Sequence, residues 1–62
     1  MKHYVYITRK EHRLTQKETA KRIGMCEKSY QLKESGKREF TISEAKKLAK
    51  IFNRSLDELF GR

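Results

Sequence analysis

The sequence predicts an all-α domain of four or five short helices, and three observations carry that prediction. Thr15 with Glu18, Thr41 with Glu44 and Ser55 with Glu58 each fit the Ser/Thr-x-x-Glu box, in which hydroxyl and carboxylate each satisfy a backbone N–H that a helix start leaves orphaned. Gly24, Asn53 and Gly61 then stand where those helices should stop. The 62 residues hold no proline, and neither an internal repeat nor a low-complexity tract interrupts them, so residues 1–62 read as one packed unit with short connections.

Taken in order, the first element is the one on which local signals conflict. "HYVYIT" alternates and is rich in β-favouring residues, which argues for a strand. A lone strand, however, has no partner elsewhere in this sequence and would leave its backbone groups unpaired, so a helix over about residues 4–12 is expected instead. The second helix runs over 15–23, from the Thr15 box to Gly24. Residues 27–35, between that turn and Gly36, have the length and polarity of an exposed third helix. The fourth covers 41–52, where Ile42, Ala45, Leu48, Ala49 and Phe52 form a helical stripe and Phe40 and Ala45 can staple the entry. The last covers 55–60.

The formal charge of +8 is unevenly placed: residues 1–38 hold 11 Lys/Arg against 4 Asp/Glu, and residues 39–62 hold 5 against 4. A balance of this kind favours polyanions such as nucleic acid. One cysteine, Cys26, and two histidines, His3 and His12, cannot assemble a disulfide framework or a Cys/His zinc site from one copy, so neither metal nor cofactor is expected. Cys26 itself reads as a small buried hydrophobe. No apolar run approaches the roughly 20 residues of a membrane span, and "MKHYVYITRK" lacks the features of a signal peptide, which leads to a cytoplasmic expectation with no membrane partner. No nucleophile–base pair, glycine-rich phosphate loop or supported carboxylate pair is present, so an enzyme is not expected, nor is a small-molecule ligand.

In "LTQKETAKRIGMCEKSYQLKESGKREF" a Gln follows the helix cap, Ala sits mid-helix, Ile-Gly closes it, and after a short turn a second polar helix ends in Glu-x-Gly-Lys. This resembles the helix-turn-helix of the phage repressor and Cro family, also called the XRE family, with the motif at about residues 15–35. "TISEAKKLAKIFNRSLDELF" is similar to that family's last two helices, so the resemblance covers about residues 4–60. It implies a compact lambda-repressor-like fold and a sequence-specific regulator of transcription, a repressor, whose partner is double-stranded DNA. It also implies a homodimer on a two-fold operator with recognition helices about 34 Å apart; Ile51, Leu56 and Phe60 are the apolar candidates for that contact, in competition with core packing. The steric reason for the pattern is that Ala20 permits close helix approach and Gly24 a tight turn, so that the next helix can project into a major groove about 12 Å wide.

Tyr30 and Leu32, two positions apart, cannot share a helix face. At about 100° per residue Leu32 lies with Lys28, and turning that face inward would bury a lysine with no evident partner. Tyr30 is therefore expected inward beside Cys26, leaving Lys28, Ser29, Gln31 and Leu32 to read bases: Gln31 suits adenine, Lys28 guanine or a phosphate, Leu32 a thymine methyl. Glu27 suits the helix dipole. By resemblance, Gln16 with Lys17 clamps phosphate, Lys37 and Arg38 contact phosphate from the following loop, and Arg9 and Glu34 form a partly buried ion pair. The chain departs from the family pattern at Leu32, where a polar residue is usual, and at Lys33, where an aliphatic one is. Lys33 is expected to lay its stem along the core edge with its ammonium in water. The competing reading is a protein-interaction module, such as an antitoxin or regulatory subunit, on the same fold; single-stranded RNA is weaker, because the tyrosines form no stacking platform.

Overall fold

The computed structural model describes residues 3–61. Five helices follow one another: α1 (Val5–Glu11), α2 (Gln16–Arg22), α3 (Glu27–Glu34), α4 (Ile42–Phe52) and α5 (Leu56–Phe60), with no strand among the described residues. Packing overrides β propensity at α1. Val5 and Thr8 are buried one helical turn apart, and the Tyr4 N–H donates to the Leu59 carbonyl at 2.8 Å, which ties the start of α1 to α5. The alternation that suggested a strand survives only as exposed Tyr4, Tyr6 and Ile7.

All three boxes form in both directions. At Thr15, for example, the Glu18 N–H donates to Oγ1 at 3.0 Å while the Thr15 N–H donates to the Glu18 carboxylate at 2.9 Å. Between α2 and α3, Gly24 has φ +77°, and the Met25 N–H reaches back to the Ala20 carbonyl at 3.0 Å, closing the turn of the motif. Asn53 ends α4 in the left-handed region at φ 54°. Arg13, between α1 and α2, takes φ 55° without any glycine or asparagine to announce it.

The core consists of Val5, Ala20, Ile23, Tyr30, Leu48, Phe52 and Leu59, drawn from all five helices and the α2 end. α2 packs chiefly on α3, while α1, α4 and α5 pack together. Tyr30 is fully buried and Leu32 half-buried, so α3 takes the register in which Tyr30 faces the core.

Three expectations need correction. Cys26 is exposed rather than turned inward. It is the N-cap of α3, with extended φ −77° and ψ 155°, so its side chain does not follow the helical projection that placed it beside Tyr30. Lys33 does not hold its ammonium in water: Nζ lies 2.7 Å from Oε1 of Glu44, with the lysine side chain only 13% exposed. Finally, Ile42 belongs to the α4 stripe by spacing but is 72% exposed, because the core ends a turn further along that helix.

Candidate nucleic-acid interface

The candidate surface rests on one buried carboxylate. Oε2 of Glu34 accepts from Arg9 Nε at 2.8 Å and from the Tyr30 hydroxyl at 2.6 Å; Oε1 accepts from Gln16 Nε2 at 2.8 Å and from Arg9 Nη2 at 3.2 Å. Arg9 also donates through Nη1 to the Leu14 carbonyl at 2.6 Å. One carboxylate thus joins α1, α2 and α3, the three elements that must hold their relative pose for α3 to project. Burial pushes the Glu34 carboxyl up, but the hydrogen bonds from Arg9, Tyr30 and Gln16 outweigh it and hold the group below its ordinary range. Hydrogen bonding to Glu34 raises Arg9, and burial followed by the Glu34 contact raises the Tyr30 phenol, so the network is Arg⁺, Glu⁻ and neutral Tyr at any ordinary pH.

Gln16 is therefore anchored through its amide nitrogen, which keeps one further N–H to offer. Its side chain lines a shallow depression together with Lys28, Gln31, Leu32, Ser35 and Lys37. Three of the residues expected to read bases thus stand beside two expected to touch phosphate, on one surface assembled from the start of α2, the outward side of α3 and the loop after it. Gln31 is further held by Glu27, to which it donates at 3.3 Å one helical turn back. A donor-rich floor with one apolar side chain, Leu32, can present hydrogen bonds to base edges and an apolar contact to a methyl group.

Ser29 is half-buried, with its hydroxyl 3.2 Å from the Cys26 sulfur, and lies outside that depression. The Ser29 hydrogen bond draws the Cys26 thiol below its ordinary value. Lys17 is exposed on α2 beside the depression's edge residue Gln16. Arg38, one residue beyond Lys37, lines a different cleft formed with α4 and α5. The Gln16–Glu34 contact was not anticipated, since nothing in the spacing of two polar residues 18 apart marks a hydrogen bond.

His3 packs edge-on against Phe40 and Phe60 at 5.5 and 5.7 Å, and His12 Nδ1 donates to the Thr8 carbonyl at 2.9 Å while its ring tilts over Phe52. No group of three metal-ligating side chains converges among the described residues, and no helix there is long and apolar enough to cross a membrane.

Comparison with known proteins agrees with this geometry. A helix-turn-helix family model of the XRE, Cro and C1 type matches residues 5–59, which spans all five helices except the last residue of α5. No curated protein and no solved structure matches the chain significantly. A helix-turn-helix domain of this type is a DNA-binding module. The chain belongs to the XRE/Cro-type helix-turn-helix family.

Proposed function

We propose that this protein is a cytoplasmic, sequence-specific repressor that binds double-stranded DNA with α3 in the major groove. The observation that carries the reading is the shared surface of Lys28, Gln31 and Leu32 with Gln16 and Lys37, backed by the charge excess of residues 1–38. Gln31 offers adenine a bidentate partner, Lys28 donates to guanine or a nearby phosphate, and Leu32 meets a thymine methyl, with Ser29 at the margin. Gln16, steadied by Glu34, fixes the register on the backbone together with Lys17 and Lys37. Repression follows from occupancy of an operator, and two copies on a two-fold site supply enough contacts for specificity.

Selection from random duplexes followed by anisotropy titration tests the reading. The protein should enrich one sequence class, and log K should fall steeply with log salt. Gln31→Ala and Lys28→Ala should each lower affinity by about 1–3 kcal/mol and relax the preference at one base pair, whereas Gln16→Ala should weaken all sequences alike. Binding that never discriminates sequence, even at low salt, would end the proposal. A reporter placed behind the selected site then separates repression from activation.

A further inference from the structure

Between α4, α5 and the loop before α4 lies a cleft of about 280 Å³, close to the lower end of small-molecule pockets. Three of its lining residues are rings: Phe40, Phe60 and His3 meet edge to face, with centroids 5.5 to 5.8 Å apart. Arg38 and Glu39 line the same cleft. Both are exposed, adjacent in sequence and opposite in charge, yet they pair neither with each other nor with any other described residue. His3 adds a further unfilled partner. Its Nε2 donates to the Lys33 carbonyl at 3.2 Å, which leaves Nδ1 as an acceptor, and Nδ1 is the one buried side-chain nitrogen or oxygen among the described residues without a hydrogen bond.

We propose that this cleft binds a free aromatic α-amino acid, with its ring among Phe40, Phe60 and His3, its carboxylate on Arg38 and its ammonium on Glu39. The two rim charges select the class. A purely apolar molecule leaves both unused, and a simple acid or amine meets one and is repelled by the other. A zwitterion with both groups on one carbon meets the two at once. The ring walls favour an aromatic side chain, which packs edge-on as these three already do. The unfilled Nδ1 favours a ring that carries a donor, as indole does. L-Tryptophan combines these features.

The cleft also touches what holds α3. His3 bonds the Lys33 carbonyl, the Phe40 ring lies 5.8 Å from that of Tyr30, and Thr41 in the lining caps α4 with Glu44, whose carboxylate holds the Lys33 ammonium. Lys37 borders the depression and its neighbour Arg38 the cleft. A molecule in the cleft therefore bears on the pose of α3, and its binding should shift duplex affinity. That step rests on the DNA reading above; the binding of the amino acid does not.

The chain contains no tryptophan, so the fluorescence anisotropy of added L-tryptophan reports the ligand alone. Titration with the full chain should give a saturable rise with Kd at or below about 1 mM, and amide shifts of the labelled protein should centre on Gly36, Ile42, Ala45 and Phe60. 3-Indolepropionate, which lacks the ammonium, and tryptamine, which lacks the carboxylate, should each bind more weakly. Glu39→Gln should weaken tryptophan and tryptamine about two- to fivefold and spare indolepropionate. Arg38→Gln should weaken tryptophan and indolepropionate by a similar factor and spare tryptamine. No saturable binding up to about 10 mM, shifts centred elsewhere, or equal affinity for the three ligands overturns the proposal; a cleft closed by a second copy of the chain would give the first of these results. With tryptophan bound, duplex affinity should change at least about fivefold, and the duplex should change tryptophan affinity by the same factor. Equal duplex affinity with and without tryptophan overturns the link to α3. Failure to bind any duplex while tryptophan still binds overturns the DNA reading alone.

Discussion

Glu34 is the residue that ties α1, α2 and α3 together, and its four donors make the energetics separable. Removing the carboxylate charge would leave Arg9 buried and unpaired, a change costing about 3–5 kcal/mol that a chain this small would not survive folded. Tyr30→Phe is the gentler probe: it keeps the buried ring and removes only the hydroxyl that donates to Oε2 at 2.6 Å. Because the acceptor is ionised and retains its other partners, the loss should be about 1–2 kcal/mol, read as a lower urea midpoint with an unchanged slope. An unaltered midpoint would mean the phenol contributes packing and nothing more. The register that buries Tyr30 was legible in the sequence, since the alternative buried Lys28. The hub was legible only in part: Arg9 and Glu34 came through family resemblance, whereas Gln16 and Tyr30 as donors to the same carboxylate follow from the pose of three helices and leave no periodic trace.

At the scale of elements, starts and stops are local chemistry and were therefore readable: three boxes, Gly24 and Asn53 all serve as the sequence suggested. What holds one helix against another is not local. α1 forms against its own propensity because Val5 and Thr8 are buried, and α3 is fastened to α4 by Lys33 and Glu44, 11 residues apart. The same Glu44 oxygen accepts the Thr41 N–H at 2.9 Å and the Lys33 ammonium at 2.7 Å, so the cap of α4 doubles as the anchor of α3. Burial pushes the Glu44 carboxyl up, and the Lys33 and Thr41 hydrogen bonds more than reverse this. Glu44→Gln keeps an oxygen for the cap but removes the charge facing Lys33. It should cost about 1–2 kcal/mol in the native background and close to nothing once Lys33 is Met, a coupling of about 1–2 kcal/mol in a double-mutant cycle by urea unfolding. Strictly additive losses would show that the two helices are not held together by this pair.

For the whole molecule, the same carboxylates that organise the helices set its response to acid. Glu34, Glu44 and Glu18 are all held below their ordinary value of 4.5, so the unfolded chain binds their protons more readily than the folded one. Stability from these groups is fully present above about pH 4.5 and is lost as pH falls through their lowered folded values. A second effect acts in the same direction, because neutralising the acids leaves 16 Lys and Arg without counter-charge in one small domain. The two separate by salt. Screening relieves diffuse repulsion but reaches a buried bidentate pair poorly, so at pH 3 added salt should raise the thermal midpoint only part of the way towards its value at pH 7. Full recovery at high salt would assign the acid sensitivity to net charge alone and remove the Glu34 network from the explanation, whereas no recovery would assign it to the paired carboxylates. Because salt opposes DNA binding while it stabilises the acidified fold, the two dependences measured on one preparation carry opposite signs, and a shared sign would mean that one of them does not arise from electrostatics.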